Sequence, residues 1–162
     1  MNKKILTLTT GGLLSAVILL ATYFSIPIPT GTGYVHLGDG AIFASAVLLG
    51  PFAAISAGLG SMLADLLTGF PHYMPATLVI KGLMGLVAGL AFRRFPHMKW
   101  TGQCLLFIVC ALIMAGGYFV TEIYLYGLAA AIGSLPFNGL QGLAGVVAGL
   151  ALVPLMRRIR IE

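Results

Sequence analysis

Two long apolar stretches fill this chain, and Gly/Pro-rich and basic segments break them into six helical spans. The first runs from about Ile5 to Ile26 and ends at Pro27 and Pro29. The loop PIPTGTGYVHLGD (27–39) leads to a second, about Asp39 to Leu49. Gly50-Pro51 then predicts a tight turn, because Pro stops one helix and suits the first turn of the next. The third covers about Pro51 to Leu67, and TGFPHYMP joins it to a fourth, about Ala76 to Phe92. After RRFPHMKW come a fifth, about Gly102 to Tyr126, and a sixth, about Leu135 to Met156. A bilayer crossing takes roughly 20 apolar residues, so the second is short for a span.

The basic residues orient these helices. Lys3 and Lys4 open the chain, Arg93, Arg94 and Lys99 divide it, and Arg157, Arg158 and Arg160 close it; only Lys81 sits within a span. An even number of crossings between clusters puts all three on one face, the cytoplasmic one by the positive-inside bias. Trp100 beside Lys99 suits an interfacial anchor. The expected class is an all-α integral membrane protein of the cell membrane. It is a single domain (1–162), a bundle of six transmembrane helices with both termini cytoplasmic.

Composition agrees with that class. Hydrophobic residues make up 59% and charged residues 8%, against roughly 25% charged in soluble domains. The net charge of +5 comes from the flanking clusters, so it reports topology and anionic headgroups rather than nucleic acid. Interleaved basic and aromatic residues are absent. The first apolar run has a signal peptide's basic start, but it is long enough to span and more spans follow, which predicts a retained helix. Cys104 and Cys110, six apart on one helix, point to different faces and suit neither a disulfide nor a metal pair.

Glycine recurs at helical spacing, as Gly82, Gly85 and Gly89 in the fourth span and Gly142, Gly145 and Gly149 in the sixth. The segments KGLMGLVAGLAF and QGLAGVVAGLAL share eight of twelve residues, through common descent or through shared small-residue packing chemistry. The first span carries its own pairs, Gly11 with Ser15 and Gly12 with Ala16. Four apart on one face, they fit either close packing inside the bundle or docking of another membrane subunit.

The candidate chemistry lies in the outer half. Asp39 opens the second span, Asp65 and Glu122 lie about one turn from the outer ends of the third and fifth, and Lys81 lies two turns into the fourth. A charge at mid-bilayer costs about 2.5–3.5 kcal/mol on insertion scales, so such groups face protein or a wet cavity. Simpler roles exist for each. Asp39 suits a helix cap, Asp65 and Lys81 a structural ion pair, and Glu122 a reach to outer water. His36 and His72 fall in outer loops where solvated histidines are common, and Tyr34, Tyr73, Tyr124 and Tyr126 fit an interfacial belt. Together they predict a mouth for a small polar ligand. With three carboxylates against one lysine and no arginine, a neutral or weakly cationic aromatic heterocycle fits better than a phosphate. It would stack on Tyr or His, with hydrogen bonds to Asp, Glu, Asn138 or Gln141. No GxxxxGK[ST] loop, HExxH, nucleophile elbow or zinc spacing occurs, so no enzyme, metal site or cofactor is expected and the energy must come from a partner.

GYVHLGDG (33–40), the apolar run to GP (50–51) and ADLLTGFPHYMPATLVIKGLMG (64–85) resemble the substrate-binding S component of energy-coupling factor (ECF) vitamin transporters. The likeness extends over nearly the whole chain, in the branch of riboflavin, hydroxymethylpyrimidine or pyridoxine uptake. The resemblance implies a six-helix bundle holding its vitamin near the outer face. It also implies docking through Gly11, Gly12, Ser15 and Ala16 to a transmembrane coupling subunit that carries two ATPases. The family's alanine pair is replaced here by Gly, Ser and Ala. A pyridoxine- or hydroxymethylpyrimidine-like ligand is expected first and riboflavin next. The alternative is a stand-alone proton-coupled carrier of a small heterocycle, with Asp65, Lys81 and Glu122 as its relay.

Overall fold

In the computed structural model, which describes residues 2–28 and 34–159 and only the backbone of Lys3, six α-helices account for most of the chain. They are α1 (Lys3–Tyr23), α2 (Gly38–Leu49), α3 (Ala53–Leu67), α4 (Met74–Arg94), α5 (Trp100–Tyr126) and α6 (Leu128–Ile159). Pro29, Gly33 and Arg160 lie outside the described residues. Among the described residues, five segments are long and apolar enough to cross a bilayer: Lys4–Tyr23, Gly38–Leu67, Pro71–Arg94, Trp100–Tyr126 and Leu128–Ile159. Large apolar side chains such as Leu8, Leu112, Val120 and Val147 stay exposed around the bundle. Hydrocarbon favours that surface, whereas monomers in water rarely present one so extensive.

Two boundaries differ from expectation, each for a local reason. α1 stops at Tyr23 rather than Ile26, because Pro27 lacks a helix donor and drives the residue before it toward extended backbone. Ser25–Pro27 (β1) pairs instead with Tyr34–His36 (β2), antiparallel, with Ile26 opposite Val35. This pair of three-residue strands is a small addition to an otherwise helical fold. α6 begins at Leu128, well before Leu135. Gly127, at φ +89°, turns α5 directly into α6, and Pro136 lies inside the helix instead of starting it.

The chain reverses within Gly38–Leu67. Gly50 (φ +56°) opens a single 3₁₀ turn, Gly50–Phe52, and contacts along α4 record the change of direction. Asp39 meets Lys81 and Gly50 approaches Gly89, whereas Ala53 approaches Gly85 and Asp65 stands beside Thr77. α2 therefore runs down α4, and α3 runs back up it. Their 12 and 15 residues make about 18 and 22 Å, less than the roughly 30 Å hydrocarbon core. Glycine on α4 permits this close turn. A Cβ on Gly85 would sit 2.6 Å from the Ala53 carbonyl oxygen, and one on Gly89 would strike the Gly50 carbonyl.

The core centres on α2, where every residue from Gly38 to Val47 is buried. Its sequence, GDGAIFASAVLL, offers no continuous polar face, and a helix apolar all round belongs in the middle of a bundle. Gly145 and Gly149 of α6 leave room for Asp39 and Phe43. Phe43 stacks on Phe107 at a centroid distance of 4.0 Å, and Phe92 meets the Phe107 ring near its edge at 6.1 Å. α1 is peripheral: of its described side chains only Ile18 and Thr22 are fully buried.

Candidate functional site

At the hairpin end of the bundle the helices leave a hollow of about 370 Å³, counting its open mouth. β2 supplies Tyr34 and His36, the residue after β1 supplies Ile28, and α3 supplies Asp65. Tyr73 closes the 3₁₀ turn that Pro71 starts before α4. Tyr118 and Glu122 of α5, four apart, share a face, as do Asn138 and Gln141 of α6, three apart. In a strand, alternate residues point the same way, which brings Tyr34 and His36 to one side. Aromatic walls with a few convergent polar groups are the usual make-up of a small-molecule site.

Hydrogen bonds tie the walls together but leave several atoms unmatched. The Tyr34 hydroxyl donates to Asp65 Oδ1 at 2.5 Å. Burial first, and the Asp65 carboxylate next, push the Tyr34 pKa up, so the phenol stays protonated and remains the donor. The Thr77 and Tyr118 hydroxyls lie 3.1 Å apart. Glu122 stands beside Ser134 and Asn138 of α6. Even so, Asp65 Oδ2, Glu122 Oε2 and Asn138 Nδ2 are buried without a hydrogen-bond partner.

His36 is buried, not solvated as its loop position suggested. Its Nδ1 accepts from the Gly38 N–H at 3.0 Å, so Nε2 carries the ring proton. Burial first, and the Lys81 charge next, lower its pKa to about 3, which keeps the ring neutral.

Below the hollow, Lys81 Nζ donates to Asp39 Oδ1 at 2.5 Å. This corrects two expectations. Lys81 pairs with Asp39 rather than Asp65, and Asp39 makes no capping bond, since Leu37 holds the N-cap position of α2. The Gln141 amide reaches Asp39 Oδ2 at 3.3 Å in one orientation. Turned over, it accepts from Lys81 Nζ at 3.2 Å and donates to the Tyr34 carbonyl at 3.3 Å, which matches donor to acceptor at both ends. Lys81 also lies 5.4 Å from the centre of the Tyr118 ring. Asp39 and Lys81 thus form the floor beneath the hollow and do not line it.

His72 stays at the exposed rim, with Nε2 2.6 Å from the Tyr126 hydroxyl, and Tyr124 is almost wholly exposed. The expectation passed over Tyr118, Thr77 and Ile28. Tyr118 was legible from its four-residue offset to Glu122.

The small residues of α1 divide between two faces. The Gly11 carbonyl accepts from Ser56 of α3 at 3.0 Å, and Ser15 is half-buried beside it. Gly12 and Ala16 are exposed, and a Cβ on Gly12 would meet nothing within 4 Å.

An apolar helical bundle with an aromatic-walled polar hollow at one end is the architecture of a membrane-embedded solute-binding protein. A family model described as "ECF-type riboflavin transporter, S component" matches residues 2–158, and the chain belongs to that family. It is 36% identical to the "Thiamine precursor transporter HmpT" of Lactococcus lactis subsp. cremoris (strain MG1363), over 99% of this chain and 93% of the relative. It is also 32% identical to an "Uncharacterized protein in gap 3'region" of Pyrococcus woesei, over 88% of this chain and 95% of that protein. The chain is an integral membrane component that binds a vitamin or vitamin precursor for transport, and it is not an enzyme.

Proposed function

We propose that this S component captures a pyridoxine- or hydroxymethylpyrimidine-like solute, with riboflavin second, in the hollow at the outer face for ATP-driven uptake. One observation supports this most directly: Asp65 Oδ2, Glu122 Oε2 and Asn138 Nδ2 are buried without partners in an aromatic-walled hollow. Unmet buried polar atoms cost about 1–3 kcal/mol each, and a ligand with complementary edges removes that cost. The 36% identity to a protein named for a thiamine precursor favours the pyrimidine within this set. Tyr34, His36, Tyr73 and Gln141 would bound the ligand, His72 would stand at the rim, and Asp39 and Lys81 would support the floor.

In this reading six helices cross the membrane, with α2 and α3 as two short crossings. The basic clusters and both termini then lie in the cytoplasm. A coupling subunit with two ATPases supplies the energy, docking on α1 at Gly12 and Ala16, where the surface is open. A stand-alone proton carrier has less support, because Lys81 is engaged with Asp39 and not with Asp65 or Glu122.

Calorimetry on the purified chain with pyridoxine, hydroxymethylpyrimidine, riboflavin and thiamine tests the substrate set. Binding of one of the first two below the micromolar range is expected, and no binding in that range by any of the four would refute it. Uptake by proteoliposomes should require the coupling subunit and ATP. Uptake by this chain alone under a pH gradient would point to the carrier instead.

A further inference from the structure

The ionisable groups around the hollow do not balance, and the imbalance narrows the ligand further, given the reading of the hollow as the vitamin site. The hairpin brings Tyr34 and a neutral His36, and the 3₁₀ turn before α4 brings His72 and Tyr73. α5 brings Tyr118, Glu122 and Tyr126, and α6 brings only the amides Asn138 and Gln141. Lys81 of α4 already has Asp39 of α2 as its counter-ion. Asp65 and Glu122 therefore face the hollow with no salt bridge of their own among the described residues, Lys81 and His72 acting on Asp65 only from a distance. They are only 4% and 3% exposed, and each leaves one oxygen without a donor.

We propose that the missing positive charge arrives with the ligand, so that the hollow takes a planar organic cation. A ring-protonated aminopyrimidine or a pyridinium has the required form. Its N–H edge would face Asp65 Oδ2 and Glu122 Oε2, where hydrogen bonds to a charged donor are at their strongest. A ring or substituent acceptor would take Asn138 Nδ2. The Tyr73 and Tyr118 rings favour a cation over a neutral ring of the same shape. A phosphate or carboxylate on the same ring would instead meet two carboxylates in a site without arginine, so phosphorylated and acidic derivatives are excluded.

The test uses the full-length protein with hydroxymethylpyrimidine and pyridoxine, weak bases whose neutral and protonated forms absorb ultraviolet light differently. At a pH where the free probe is mostly neutral, the bound probe should show the spectrum of its cation. Asp65→Asn and Glu122→Gln should each weaken binding tenfold or more, and phosphorylated probes should not compete. If either variant fails to fold, the wild-type spectrum still decides. A bound probe with the neutral spectrum overturns the proposal. So does tight binding of riboflavin alone, a ring system that is not basic in this range, but that result leaves the vitamin reading of the hollow intact. Binding of none of the three removes both.

Discussion

Lys81 of α4 and Asp39 of α2 form an ion pair at 2.5 Å that is closed to solvent on both sides. Two charges so deep are tolerable because each neutralises the other, and Gln141 and the Tyr118 ring occupy the remaining sides of the pair. The bond joins the central helix to α4 directly under the hollow.

Removing one partner should therefore be far worse than removing both. Lys81→Met should destabilise the bundle by about 3–5 kcal/mol, since it strands a buried carboxylate. Adding Asp39→Asn to it should restore much of that loss. Thermal unfolding of the two single variants and the double variant in detergent gives the coupling. Simple additivity would mean that the pair does not act as a unit.

Asp65 lines the hollow and is not the ion-pair partner of Lys81. Asp65→Asn should lower affinity at least tenfold, about 1.4 kcal/mol, with little change in the melting temperature of the unliganded protein. Saturating ligand should still raise that temperature. A large loss of stability without ligand would return Asp65 to a structural role.

The two faces of α1 should separate under mutation. Gly12→Leu with Ala16→Leu projects into open surface, so ligand binding and folding should persist while co-purification of the coupling subunit is lost. Gly11→Leu pushes toward Ser56, from whose Oγ even a Cβ would lie 3.5 Å, and should cost stability first. Retained co-purification in the Gly12/Ala16 variant would place docking elsewhere.

His36 makes stability depend on pH in a set direction. Its pKa in the fold, about 3, lies below the value near 6.5 of an unfolded chain. Above about pH 6.5 both states are neutral and the fold keeps its full stability. As the pH falls through 6.5 the unfolded chain takes up a proton that the fold refuses. This single group then removes up to about 1.4 kcal/mol per pH unit until about pH 3. Between pH 7 and 5 the wild type should lose about 2 kcal/mol more than His36→Asn. Parallel pH profiles of the two proteins would contradict the buried neutral ring.

Glycines of α4 and α5 should respond oppositely to alanine. Gly89→Ala drives a methyl group into the Gly50 carbonyl and should cost about 1–3 kcal/mol. Gly116→Ala in α5 meets nothing within 4 Å and should be neutral or stabilising by up to about 1 kcal/mol. Melting temperatures of both variants check the contrast.

Lipid imposes its requirements on composition, which is why the apolar spans, the Gly50-Pro51 turn and the basic flanks were readable from residues alone. Rotation about a helix axis is not imposed in that way. Asp65 was the natural partner for Lys81 because α3 and α4 are consecutive. Yet Asp65 lies one turn nearer the start of α4, beside Thr77, while Asp39 of α2 reaches Lys81 itself. His36 was misplaced because a three-residue strand leaves too little pattern to distinguish it from loop, although its two-residue offset from Tyr34 is what turns both inward. The sixth helix starts earlier than its apolar run suggested, because Gly127 turns α5 directly into it and Pro136 is carried inside the helix.

The stacked rings of Phe43 and Phe107, with Phe92 against them, lie farther along α2 and α4 than the Asp39–Lys81 pair. They act as a dry bung. A hydrated solute leaving by that route would have to shed its water among three phenyl rings that offer no hydrogen bonds, and parting a 4.0 Å stack would open a void with nothing to wet it. The hollow is thus a cup with one lip.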